Sequence, residues 1–312
     1  MNDASSSSPR SQFLLLSALT IFLSAFLLFQ VQPIISRIIL PWFGGGPAIW
    51  STCVLFFQLV LLGGYAYAHY LNGLRSTKYQ TWVHVGLLVV AVCTLPITPS
   101  DVWKPEDGLR PTWRILVLLL ANVGLPYFIL SATGPLVQAW FARVYPWWNP
   151  YRLYALSNVG SLGALLSYPF LFEPWLTSSR QGLVWSLAFA VFAVLCGSLA
   201  VMASRATIAD QPDGNPQPAP QPAGAPPSNA PGTSAEEVGD TKPNDPADAS
   251  SWSATPSIEQ RMAWLLLPAL ASMALLAVTA HLCQDVAVIP FFWVIPLSLY
   301  LLSFIVSFDS PR

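Results

Sequence analysis

The sequence predicts an all-α integral membrane protein: a polytopic helical bundle of about eight transmembrane helices, ordered as six, a long linker and two. Three observations predict it. Apolar stretches recur along the chain at close to the roughly 20 residues that a helix needs to cross a hydrocarbon core about 30 Å thick. Hydrophobic residues make up 54% of the chain and charged ones only 9%, against about 25% charged in ordinary soluble domains. The apolar pattern is broken by one Pro-rich polar segment, 206–258, too poor in apolar side chains to form a core.

A polar, Ser-rich tail, 1–12, carries Arg10 and opens the chain. The first apolar run lacks a small-residue cleavage site and is longer than a secretory signal core, so it is read as a retained helix. The spans are placed at 13–40, 48–71, 81–98, 113–141, 153–172, 183–203, 262–283 and 288–308. The first six form a membrane domain, 13–205. The first and fourth exceed a straight crossing and contain proline, so tilt or a kink is expected. Trp42, Trp82, Trp103, Trp113, Trp140, Trp147, Trp148, Trp175 and Trp264 fall near proposed ends, where an amphipathic ring favours the interface.

The linker holds eleven prolines and seven acidic residues against the single Lys242, and reads as a disordered acidic tether. The last segment, 259–312, supplies two further spans. Six helices, a long loop and more helices is also the plan of transporters built from two six-helix halves, so this segment reads as the start of a truncated second half. A short echo accompanies it: Pro47-Ala-Ile-Trp50 and Pro290-Phe-Phe-Trp293 open the second and eighth spans, with Gln30 and Gln284 upstream.

Net charge is −1 and no basic cluster appears, which argues against a nucleic-acid partner; the expected partner is the lipid bilayer. Cys53, Cys93, Cys196 and Cys283 are spread over separate apolar segments with no metal-ligand spacing. Neither a metal nor a cofactor is expected, and no catalytic motif is found.

Polar residues inside spans are costly in hydrocarbon, so they are the candidates for a substrate or ion pathway. Gln30, Gln32 and Arg37 form one group on the first span. Arg37 fits either an anion-binding role or a helix-end side chain reaching the interface. Gly44-Gly45-Gly46 reads as a tight turn, since it lacks the Lys-Ser/Thr of a phosphate loop. The fourth span carries Asn122 and Gln138 together with the helix-breaking Pro126, Gly134 and Pro135, and interrupted helices line substrate sites in many transporters. His281 and Asp285, four apart near the end of the seventh span, share a helix face and suit either a proton or cation relay or an interfacial loop. Ser157, Gly160, Ser161 and Ala164 form a small-residue face suited to close helix packing. His69 and His84 read as interfacial and structural.

The strings Phe29-Gln-Val-Gln-Pro33 and Leu40-Pro-Trp-Phe-Gly-Gly-Gly-Pro-Ala-Ile-Trp50, continuing to Phe57-Gln58, are distinctive. So are Gly124-Leu-Pro-Tyr-Phe-Ile-Leu-Ser-Ala-Thr-Gly-Pro135, Asn149-Pro-Tyr-Arg-Leu-Tyr-Ala-Leu-Ser-Asn158, Ser167-Tyr-Pro-Phe170 and Gln284-Asp-Val-Ala-Val-Ile-Pro-Phe-Phe-Trp293. In these the chain resembles the N-terminal membrane region of bacterial proteins that fuse a major-facilitator-like domain to a spermidine-synthase-like domain. The resemblance implies a bacterial inner-membrane location and, in the full-length protein, a soluble aminopropyltransferase-like domain as partner. That domain has no counterpart here, because no strand followed by a Gly-rich turn is present. The implied role is anchoring or transport linked to polyamine-type metabolism; a secondary transporter of the major-facilitator type and an inactive truncated fragment are the alternatives.

Orientation follows from Lys and Arg. With the N-terminus and the 206–258 linker cytoplasmic, the inside segments hold nine of these residues and the outside segments five, which favours that topology.

Overall fold

The computed structural model describes residues 9–44, 47–74, 76–105, 111–145, 151–209, 257–285 and 294–309. Among them the regular structure is helical, with no strand. Within the described residues each predicted apolar segment lies wholly or mostly on a helix. These are α1 (Pro9–Phe43), α2 (Pro47–Gly73), α3 (Thr77–Cys93), α4 (Pro111–Leu119) continuing into α5 (Leu125–Val144), α6 (Tyr151–Ser167) continuing into the short α7 (Glu173–Trp175), α8 (Ser178–Ala209), α9 (Ile258–Asp285) and α10 (Val294–Asp309). Five continuous helical stretches are long and apolar enough to cross a membrane: Ser11–Phe43, Ala48–Gly73, Thr112–Val144, Arg152–Trp175 and Ser178–Ala206. The protein is therefore a membrane protein by the length and composition of its helices.

Proline position explains the irregular turns. Pro126 has no N–H to offer the carbonyl of Asn122, and Leu120–Gly124 widens into a π turn just before it. Pro169 does the same for Leu165, and Tyr168–Phe172 is the second π turn. The irregularity expected in the fourth segment thus takes the form of a π turn, and the fifth, where none was expected, has one too, whereas the first remains a continuous helix through Pro33 and Pro41. Between α1 and α2, Gly44 turns at φ 90°, a left-handed conformation that glycine adopts without a Cβ clash; Gly45 and Gly46 lie outside the described residues.

The third span ends earlier than its apolar run suggests. α3 stops at Cys93, five residues before the predicted limit of 98, and Thr94 caps it through its backbone N–H. Pro96 disfavours helical geometry in the residue before it. The chain then runs extended into the bundle, where Ile97 is fully buried and its N–H donates to Ser186 Oγ at 3.4 Å.

The chain divides into two compact units, residues 1–211 with 282–312, and residues 212–281. In the first, α1 is central and packs on α6, α8 and α5. α2 lies against α4 and α5, α3 against α8 and α5, and α10 against α6. One core gathers Ile34, Ile35, Ile39, Phe57, Leu118, Tyr127, Phe189 and Phe192; a second gathers Phe13, Leu136, Trp140, Phe141 and Leu199. The small-residue face of α6 is a packing face: a Cβ at Gly160 would stand 2.7 Å from the Phe22 carbonyl oxygen on α1. Trp185 on α8 joins α1 through a hydrogen bond from Nε1 to the Leu27 carbonyl at 2.9 Å.

In the second unit the described part is the helical run of α9 up to His281. Its start is a capping box: Ser257 Oγ accepts from the Gln260 N–H at 3.2 Å, and Gln260 Oε1 accepts from the Ser257 N–H at 3.1 Å. The linker over 210–256 and the Pro290 to Trp293 echo lie outside the described residues.

Candidate functional site

The predicted polar positions divide by what the folded helices bring to them. Gln30 on α1 is 1% exposed; its Nε2 donates to Ser167 Oγ on α6 at 3.4 Å, and its Oε1 is buried without a hydrogen-bond partner. Gln32 faces a different helix, its Nε2 donating to the Tyr127 hydroxyl on α5 at 3.2 Å. Two glutamines two residues apart must point to different sides of a helix with 3.6 residues per turn, so α1 offers one amide to α6 and one to α5.

Arg37 is exposed at the end of the same helix. Its Nη1 donates to the backbone carbonyl of Glu173 at 3.1 Å, and the Tyr168 hydroxyl lies beside it. Tyr168 in turn reaches the Pro33 carbonyl and Gln181 Oε1, each at 3.4 Å. Gln181 Nε2 donates to the carbonyls of Phe172 and Leu176, both at 3.0 Å. These bonds tie the end of α1 to the π turn, α7 and the start of α8, and bring side-chain donors to carbonyls around the irregular turn, where the Phe172 carbonyl also accepts the Leu176 N–H at 3.1 Å.

Asn122 sits in the first π turn and donates from Nδ2 to the Leu118 carbonyl at 2.8 Å. Pro126 is buried, Gly134 and Gln138 are half-buried, and Pro135 is exposed. The fourth-segment positions therefore do not converge on one point: Asn122 is occupied by its own helix, and only Pro126 lies next to the residue, Tyr127, that meets Gln32. His281 and Asp285 are helical and close α9, but their side chains lie outside the described residues.

Three arrangements were not read from the sequence. Aromatic rings join two pairs of helices: Tyr127 (α5) meets Phe57 of α2, and Tyr154 (α6) meets α10 through Phe304, which also touches Tyr300. The Phe57 ring lies 4.9 Å from Tyr127, and Phe304 lies 6.0 Å from Tyr154 and 4.8 Å from Tyr300, centroid to centroid. Tyr154 also hydrogen-bonds the side chain of Asn158, whose Nδ2 is buried without a partner; Ser298 Oγ on α10 is likewise buried and unpartnered.

His84 is the second. It is fully buried rather than interfacial, because α3 turns that face onto α8 and α5. Its Nδ1 pairs with the Tyr67 hydroxyl at 3.3 Å and its Nε2 with Cys196 Sγ at 3.5 Å, with Trp140 edge-on at 5.7 Å. The third is Arg143 at the end of α5, whose guanidinium donates to Gln80 Oε1 at 3.0 Å and to the backbone and side-chain oxygens of Asn72. Its acceptors are neutral, and they fasten α5 to α2 and α3 at one end of the bundle.

Comparison with known proteins finds no match: no family model, no curated protein and no solved structure is similar to this chain.

Proposed function

We propose that this chain is the membrane-embedded N-terminal portion of a spermidine-synthase-like fusion protein, and that its helices serve transport linked to polyamine-type metabolism as well as anchoring. In this reading all eight apolar helical segments cross the bacterial inner membrane, with the N-terminus and the 206–258 linker cytoplasmic. A soluble spermidine-synthase-like domain of the full-length protein is the partner. α3, at 17 residues, spans about 26 Å and suffices for a slightly thinned or locally polar crossing.

The observation that carries the transport role is Gln30. An anchor needs only apolar helices, whereas this helix holds a fully buried amide whose oxygen has no partner. An unsatisfied buried acceptor costs roughly 1–3 kcal/mol, and such costs persist where a function uses the group. A secondary transporter of the major-facilitator type, with the soluble domain accessory, is the second reading. The packing of α10 on α6 favours it, since residues beyond the linker then complete the same bundle.

Full-length protein reconstituted in proteoliposomes and loaded against a gradient of labelled spermidine tests the proposal. Saturable, protein-dependent uptake is expected. Correctly inserted protein that moves no amine would reduce the membrane part to an anchor.

A further inference from the structure

The end of the bundle where α2 closes and α3 opens holds a positive charge whose described partners are all neutral. Arg143, in the last turn of α5, is half-buried. Its guanidinium bridges the chain reversal between α2 and α3. Nη1 donates to Gln80 Oε1 at 3.0 Å, and Nη2 donates to the Asn72 backbone oxygen at 3.3 Å and to the Asn72 side-chain oxygen. Gln80 is itself fixed, 2% exposed, with Nε2 on the Leu74 carbonyl at 2.6 Å. The carbonyl end of α5 offsets about half a charge at most, so a cation partly withdrawn from water is left without a full opposite charge.

Other cations share this end. Lys78 is exposed in the first turn of α3. Thr81 Oγ1 donates to the Ala200 carbonyl at 3.3 Å, and His84 meets Cys196 at 3.5 Å, so α8 runs antiparallel to α3. Arg205, exposed five residues beyond Ala200, therefore stands level with the opening of α3. Residues 4–100, 108–172 and 174–209 contain neither Asp nor Glu. Asp101 and Glu173 lie beyond the far ends of α3 and α6, roughly 26 Å away along the helix axes. Asp3 and the linker acids lie outside the described residues.

Depth selects the ligand. Tyr70, Tyr79 and Trp82 stand exposed around the same chain reversal, and amphipathic rings concentrate at the headgroup level of a bilayer. The anion found at that level is lipid phosphate. Gln80 and Asn72 take three of the five guanidinium N–H groups, which leaves two for phosphate oxygens. A zwitterionic headgroup carries its own cation beside the phosphate, so a net anionic one is the better complement.

We propose that Arg143, with Lys78 and Arg205 as outlying charges, binds the phosphodiester of an anionic phospholipid headgroup where α2, α3 and α5 meet. The site stands whether or not the helices transport a solute.

The test is native mass spectrometry of the full-length protein in detergent, titrated with phosphatidylglycerol and, separately, with phosphatidylcholine of the same acyl chains. Phosphatidylglycerol is expected to bind at least about fivefold tighter, the gain that one Lys or Arg near an anionic surface supports. Arg143→Gln is expected to remove most of that preference, and Lys78→Gln and Arg205→Gln to lower it about two- to fivefold each. Arg180→Gln, at the opposite end of α8 and far beyond a screening length, is expected to leave it within about twofold. Arg143→Lys keeps the charge while losing the planar fork, so most of the preference is expected to survive in it. Equal affinity of the native protein for the two lipids would overturn the site, and this result depends on no variant. A preference lost as fully in Arg143→Lys as in Arg143→Gln would reduce Arg143 to a structural tie. Displacement of phosphatidylglycerol by inorganic phosphate at comparable concentration would assign the site to a soluble phosphate ester and overturn the lipid assignment.

Discussion

Gly160→Ala is a direct probe of how the central helix is held. A Cβ at this position would lie 2.7 Å from the Phe22 carbonyl oxygen and 3.4 Å from the Ala25 Cβ. A carbon and a carbonyl oxygen need roughly 3.3 Å, about the distance of the shortest weak contacts between them, so α1 and α6 must separate by about half an ångström. Neither contact atom is the end of a flexible chain, so relief requires moving a backbone, and overpacking of this kind costs about 1–3 kcal/mol. Alanine in a helix also returns about 1 kcal/mol relative to glycine, so the absolute change is blurred. Gly86→Ala removes the ambiguity, because nothing lies within 4 Å of a Cβ there and only the propensity gain remains. The difference between the two variants isolates the α1–α6 contact. In detergent unfolding followed by helical circular dichroism, Gly160→Ala is expected to be less stable than Gly86→Ala by about 1–3 kcal/mol. Equal stabilities would mean that α1 and α6 do not approach this closely, and the account of the small-residue face would fail.

Other contacts give equally definite outcomes. Trp185→Phe removes the indole donor to Leu27 while keeping most of the ring; a loss of about 1–2 kcal/mol in the same assay is expected, from the hydrogen bond and the vacated volume. His84→Leu leaves the Tyr67 hydroxyl and Cys196 without their partner and is expected to destabilise by about 1–3 kcal/mol. In a background where Cys93 and Cys283 are serine, maleimide labelling is expected to be slow, since Cys53 and Cys196 are buried, and to accelerate in His84→Leu. Arg143→Lys loses the planar fork that serves Gln80 and Asn72 together, so protease cleavage of the chain between α2 and α3 is expected to speed up. A membrane-impermeant label on cysteines placed at residues 208 and 257 is expected to leave intact cells unmodified, and modification would reverse the assigned orientation.

The helices were legible because a lipid-facing segment is apolar on all sides, so composition alone locates it; the ends were less so. The apolar run Leu95 to Thr98 reads as a continuation of α3, yet it leaves the helix at Thr94 and packs as extended chain with Ile97 fully buried. Pro96 was the signal for that break, and Pro126 and Pro169 were the signals for the two π turns. Gln30 and Gln32 stood out because an amide within an apolar run has a cost, but their different partners, Ser167 and Tyr127, depend on which helices pack beside α1. Tyrosines gave no such signal: Tyr65, Tyr127, Tyr154 and Tyr300 each pass as ordinary span residues. Tyr127 meets Phe57, and Tyr154 meets Phe304, only because α5 packs on α2 and α6 on α10. His84 was misplaced for a related reason. Its nearness to the Arg75 and Lys78 loop suggested an interface, whereas the turn of α3 aims it at Cys196.

The central claim is that the polar interior of α1 serves transport rather than stability, and Gln30→Leu separates the two. The variant loses one long hydrogen bond to Ser167, which keeps its bond to the Ala164 carbonyl, and it removes a buried acceptor that has no partner. Unfolding and spermidine uptake would be measured on the same full-length preparation. Stability is expected to be unchanged or higher by up to about 2 kcal/mol, while uptake falls at least tenfold. Uptake retained at the native rate with altered stability would contradict the account and make Gln30 a structural residue of the α1–α6 contact.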